Sequence, residues 1–193
     1  MEAWLGMAAV FVVGAAVVAY GWLSDREANR RRREDVPIGE GCPARVDASV
    51  LLAADGALAE AAVFAAGLAD KAFANDPERG RMVLADAAVL VCEDEVAGLR
   101  ELSGTVAAAA GRALVVAAPA FGGDCLLDLA VNAAAGRFRG GAVRVQGADE
   151  LARLAAATGA EPVRAADLKA GLSPTLGACR FWVGGAEQSQ VVL

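Results

Sequence analysis

The 193-residue sequence contains no histidine. Its absence removes the commonest general base and the commonest zinc ligand, so Ser-His-Asp and Cys-His catalysis are excluded. The four cysteines, Cys42, Cys92, Cys125 and Cys179, form no C-x-x-C pair. That leaves no metal knuckle and no thioredoxin-type redox motif, and the four read as small buried apolar residues. Aromatic residues make up only 5% of the chain, and alanine and glycine supply much of its apolar content, so the core is built from small side chains. Basic residues are in the minority: 18 Lys and Arg against 24 Asp and Glu leave a net charge of −6. Nucleic acid is therefore not an expected partner, because binding it takes clustered cations that displace counterions from phosphates.

Apolar residues are plentiful, at 56%, enough for one ordinary domain with a core and an appendage. The stretch "AWLGMAAVFVVGAAVVAYGWL", residues 3–23, carries no charge over 21 positions. As a helix rising about 1.5 Å per residue it matches a hydrocarbon core of about 30 Å. Trp4 at one end and Tyr20 with Trp22 at the other stand where amphipathic rings favour the headgroup level. A cleaved signal peptide has a positive start, a shorter apolar run and a small-residue cleavage site, whereas this chain starts Met1-Glu2 and ends its run with Tyr20-Gly21-Trp22-Leu23. These features favour a single uncleaved anchor in contact with membrane lipid. Arg26 and the run Arg30, Arg31, Arg32 and Arg33 directly follow the span, and no Lys or Arg precedes it. The positive flank places the N-terminus outside and the rest of the chain in the cytoplasm; the run also suits anionic headgroups, or serves as a solvated linker. Residues 24–47, with Pro37, Gly39, Gly41 and Pro43, read as a basic flexible tether.

Residues 48–193 read as an α/β domain. Apolar runs at 87–94, 112–119 and up to 145 alternate with helical patterns at 95–111, 124–135 and from 148. This is the βαβ rhythm of a layered domain with a largely parallel sheet, its helices stopped by Gly111 and the glycine after residue 158. Gly122-Gly123-Asp124 follows an apolar strand but fits neither a Walker loop nor a dinucleotide turn. Asp124 would put a negative charge where an anion would sit, and its expected role is an N-cap. The helix after it is apolar around most of its circumference. Such a helix is either an interior one or one edge of an exposed groove for another polypeptide.

Several segments resemble, in order, the apical substrate-binding domain of the group I (GroEL-type) chaperonins. "FAAGLADKAFANDPERGRMVL" is similar to the segment that enters that domain, with Phe64, Gly67, Phe73, Asn75, Pro77, Glu78 and Gly80 at matching positions. "AVLVCEDEVAGLRELSG" resembles the next strand and helix. "AGRALVVAAPAFGGDCLLDLAVNAAAG" follows the pattern without a gap, sharing Gly111, Leu114, Gly123, Leu126, Leu129, Val131, Asn132 and Gly136. "LARLAAATGAEPV" and "LGACRFWV" resemble the closing helix, strand and exit segment, so the likeness spans residues 62–192.

The resemblance implies a domain that binds nonnative polypeptides between two parallel helices and a neighbouring extended segment. Carried onto this sequence, the groove residues are Leu126, Ala130 and Val131 on the second helix, Leu102 and Val106 on the first, and Leu68 and Phe73 on the entry segment. Leu68 and Ala72 replace aromatics of the family, and Ala135 replaces a basic residue, which makes the groove shallower. The family's ATPase and hinge domains have no counterpart here, so the resemblance implies no nucleotide or other cofactor. The expectation is a membrane-anchored module that binds polypeptide segments without catalysis. Its rival is an adaptor that uses the same fold to hold one specific partner or to self-associate. An enzyme is not expected: no carboxylate pair or nucleophile constellation is visible, and Asp124 with Asp128 read as partners of a helix dipole.

Overall fold

The structure, a computed structural model, describes Tyr20, residues 45–109 and residues 111–193. The chain divides into two compact units, residues 1–37 and 38–193. In the first, only Tyr20 is described, helical and exposed. The expected span at 3–23, with Trp4 and Trp22, lies outside the described residues except for Tyr20, as do Arg30, Arg31, Arg32, Arg33 and the tether up to residue 44. Among the described residues no helix is long and apolar enough to cross a membrane.

The second unit is mixed α/β. Its centre is three parallel strands, β3 (Met82–Val91), β4 (Leu114–Ala118) and β5 (Gly140–Val145), in register at Ala88↔Leu114 and Leu114↔Gly140. All five residues of β4 are buried, as expected of a central parallel strand covered on both faces, and hence its unbroken apolar sequence. The crossovers are α2 (Leu99–Ala108) between β3 and β4, and α3 (Gly123–Ala134) between β4 and β5. Helix α1 (Ala48–Ala57) precedes the sheet, and α4 (Ala148–Thr158) and α5 (Ala165–Lys169) follow β5.

The sheet is not largely parallel. β6 (Gly177–Gly184) lies antiparallel on β3, β7 (Ser189–Val192) on β6, β1 (Ala62–Phe64) on β7, and β2 (Ala66–Leu68) on β5. The reason is local: after α5 the chain makes a hairpin, turning at Gly185 and Gln188, and a two-strand hairpin can only be antiparallel. The strand expected near residue 163 shrinks to a single bridge between Val163 and Cys92.

The strand order is β1-β7-β6-β3-β4-β5-β2. β1 and β2 stand at opposite ends of that order, yet only Ala65 separates them in sequence, so residues 62–68 close the sheet on itself. Leu68 N–H donates to the Gly185 carbonyl (2.8 Å) and the Ser189 hydroxyl to that of Ala66 (2.5 Å). The Ala65 N–H donates to Glu150 Oε1 (2.6 Å), and Arg153 donates to the Val63 carbonyl (2.6 Å) while lying 4.3 Å from the centre of the Phe64 ring. Gly67 is required here, since a Cβ would fall 2.2 Å from the Ala186 carbonyl oxygen. Among the described residues the closure leaves no long free sheet edge for strand addition by another chain.

The main core runs through Leu90, Val115, Leu129, Leu154 and Trp182. A smaller one, Ala54, Val83, Phe181, Val183 and Val192, lies under α1. Gly111, Gly136 and Gly159 all take positive φ after helix ends, the left-handed conformation that glycine adopts without a Cβ penalty. Several expected boundaries shift. β3 spans Met82–Val91 rather than 87–94, because the residues before Asp86, where the apolar run is broken, pair with β6. α2 starts at Leu99 rather than 95, because Val96 is held extended by its bridge to Phe121. The N-cap of α3 is Gly122, not Asp124, which sits in the first turn, where a carboxylate complements the helix dipole.

Candidate functional site

Two successive crossovers that step in the same direction along a sheet, both right-handed, place their helices side by side on one face. α2 and α3 are such a pair, and they are in contact. Their N-termini lie at the carboxyl ends of β3 and β4 and their C-termini at the amino ends of β4 and β5.

The glycine pair that opens α3 is explained by this packing. Gly122 N–H donates to the Val96 carbonyl (2.9 Å), and a Cβ on Gly122 would fall 2.6 Å from the Ala97 carbonyl oxygen. The glycine lets the helix start pass close to the segment before α2, and its N–H is already committed to protein.

The seven residues carried over as a groove separate into two groups. Val131 is 42% exposed, and Leu126, Val106 and Leu68 are half-buried, each of the latter three also packed against the core. Leu102, Phe73 and Ala130 are buried, at 0%, 1% and 7% exposure, which corrects the expectation for these three as groove-lining side chains. Leu102 is part of the main core, on a helix that packs against α5 and α3, Phe73 packs beside Gly141, where an added Cβ would meet its ring at 3.1 Å, and Ala130 lies on the inward side of α3. Leu127 was missed. It is half-buried and stands one turn before Val131 on the same side of the helix. The i, i+4 relation to Val131 was the signal available in the sequence.

The surface around this pair is acidic and small. Asp124 and Asp128 are exposed on α3, and the exposed positions of α2 include Ser103, Gly104 and Ala107. An apolar segment carrying a positive charge would be complementary to it.

The three described cysteines offer no reactive thiolate. Cys92, Cys125 and Cys179 are buried and free. Burial, together with the nearby carboxylates of Asp94, Glu101, Asp128 and Asp86, pushes their thiols up to about 12, about 11 and about 12 respectively, with a backbone hydrogen bond from Ala87 partly offsetting this at Cys179. Thiols that stay protonated at neutral pH are poor nucleophiles and poor metal ligands. Cys42 lies outside the described residues. Among the described residues no group of three or more acidic or thiol side chains is arranged to hold a metal ion. No protein-family model matches the chain, and no curated protein matches it.

Proposed function

We propose that the protein is a membrane-anchored, noncatalytic polypeptide-binding module that presents the α2–α3 edge to the cytoplasm, in the manner of a chaperonin apical domain. The observation that carries the reading is the apolar pair Leu127 and Val131, left in contact with solvent on a helix whose other face is already buried. Leu126 and Val106 extend this surface at half burial. A bound segment would lie along α3, burying aliphatic side chains at about 25 cal/mol per Å² of apolar area. The residues resembling the apical domain, and the apolar run at 3–23 with its arginine flank, support the module and the anchor respectively.

A second reading is favoured by the size of the edge. With Leu102, Phe73 and Ala130 in the core, the exposed apolar area is small, which suits one well-matched partner better than many loosely matched ones. In that reading the module is a membrane-bound adaptor for a specific polypeptide or for a second copy of itself. Full-length protein reconstituted in lipid nanodiscs and offered several unrelated unfolded proteins separates the two. Retention of most of them supports the broad binder. Retention of none, with recovery of one partner or a dimer, supports the adaptor. Failure to bind any polypeptide, itself included, removes both.

A further inference from the structure

The amino ends of β4 and β5, where α2 and α3 terminate, gather positive charge. Arg112 precedes β4, and Arg137 and Arg139 precede β5. All three line one shallow cavity of about 160 Å³ that no carboxylate lines. Their placement is built in. Gly136, at φ +68°, ends α3, and the N–H groups of Arg137 and Phe138 both donate to the Asn132 carbonyl, at 2.9 and 3.1 Å. Phe138 is then buried, and the arginines on either side of it are exposed. None of the three forms an ion pair with a described residue, whereas Arg79, Arg81, Arg153 and Arg164 all do.

Helix dipoles account for part of this cluster. Each helix C-terminus is equivalent to about half a negative charge, so α2 and α3 together offset about one arginine of the three. Arg112 also lines a cavity with Asp86 and Arg180, and Arg139 one with Arg45 and Asp47, so these neighbours add two arginines and two carboxylates and leave a surplus of about two positive charges, on a chain whose net charge is −6. The opposite end is acidic, with Glu93, Asp94 and Glu95 after β3 and Asp124 in the first turn of α3. The domain is therefore electrically polar along its parallel strands.

We propose that the Arg112–Arg137–Arg139 end is a docking surface for the anionic headgroups of a lipid bilayer. The proposal rests on the reading of residues 3–23 as a membrane anchor. Arg139 also lines the larger neighbouring cavity that Arg45 lines, so the described chain enters the unit at this same end. Arg33 and Arg45 are twelve residues apart, a reach of at most about 40 Å, and a tether of that length keeps the arginines at high effective concentration over the membrane. Each arginine near an anionic surface is worth about a fivefold factor in partitioning. Docked this way, the acidic end and the starts of α2 and α3 point away from the bilayer, and the apolar edge at Leu127 and Val131 is left accessible to a polypeptide.

The test uses full-length protein with Cys42→Ser and a fluorescent donor on Ala135→Cys, beside the cluster, the other three thiols being buried. A second preparation carries the donor on Ala97→Cys, about one length of α3 away at the acidic end. Energy transfer to an acceptor on the lipid headgroups is measured in nanodiscs of phosphatidylcholine alone and of phosphatidylcholine with phosphatidylserine. The expected result is higher transfer from position 135 with phosphatidylserine, reversed by salt and by Arg112→Gln/Arg137→Gln/Arg139→Gln, with no such rise from position 97. Equal transfer in the two lipids, indifference to the triple substitution, or approach of position 97 instead would overturn the proposal. So would preferential capture of the same arginines by a single-stranded DNA oligonucleotide added in competition. If the chain does not enter nanodiscs and floats off membranes in carbonate, the anchor reading has failed separately. The labelled protein is then mixed with preformed phosphatidylserine vesicles, where arginine-dependent transfer supports the docking surface and its absence refutes it.

Discussion

Arg81 holds Asp55 across 26 residues of chain: its Nη1 donates to Asp55 Oδ1 at 2.8 Å, while its Nε donates to Asp76 Oδ2 at 2.7 Å. Arg79 adds a bond to Asp55 Oδ2 at 2.7 Å. The four side chains fasten the end of α1 to the turn that opens β3, and the Arg81 hydrogen bond is the main reason the Asp55 carboxyl titrates below its ordinary 3.8. A carboxyl depressed in the folded state contributes stability that is complete above the unfolded value and is lost as the pH falls through the folded one. Asp55→Asn should therefore cost about 1 kcal/mol at neutral pH and flatten the acid limb of stability below about pH 4. Denaturant unfolding measured across that pH range checks both.

Gly67 and Gly104 should respond to alanine in opposite directions. At Gly67 the new Cβ would meet the Ala186 carbonyl in the closing seam of the sheet, and at Gly104, in the exposed middle of α2, it would meet nothing within 4 Å. Gly67→Ala should destabilise by about 3 kcal/mol through forced backbone movement. Gly104→Ala should stabilise by about 1 kcal/mol by lowering the entropy of the unfolded chain and restoring helix propensity. Thermal melts of the two variants beside the parent give the comparison.

The Thr105 hydroxyl is buried in α2 without a hydrogen-bond partner among the described residues. An unpaired buried hydroxyl carries its full desolvation penalty, and an apolar group of the same shape does not. Thr105→Val should raise the stability of the domain by about 1 kcal/mol, read as an increase in the denaturant midpoint at unchanged slope.

Cys92, Cys125 and Cys179, buried and with raised thiol values, should fail to react with a chromogenic disulfide reagent at neutral pH in the native state of Cys42→Ser protein. All three should react once denaturant is added. Reaction of any one in the native protein would show an opening of the core near that residue.

The parallel centre of the sheet was legible in the sequence because its strands carry apolar runs, those of β4 and β5 closed by Pro119 and Gly147, and each crossover helix is followed by a glycine. The antiparallel flanks were not. β1 and β2 have three residues each, too few for a period to emerge, and their partners are more than 70 residues away. At the site, periodicity left α3 either interior or at the edge of a groove and could not give the rotation of the helix. A helix apolar nearly all round offers no polar stripe to mark its outer face, and the resemblance placed Ala130 outside and passed over Leu127. Leu102 shows the same limit from the other side: a leucine at helical spacing is core or groove according to which way the helix is turned, and here α2 turns it into the core.

In the proposed function, polypeptide is held at the α3 edge formed by half-buried Leu127 and exposed Val131. The most direct measurement is the affinity of full-length protein in nanodiscs for a fluorescently labelled unfolded protein, with Leu127→Asp and Val131→Asp compared against Leu172→Asp, an exposed leucine distant from α3 in sequence. The account predicts that each α3 charge weakens binding about tenfold or more while the Leu172 variant binds like the parent. Equal binding by all three variants and the parent would contradict it.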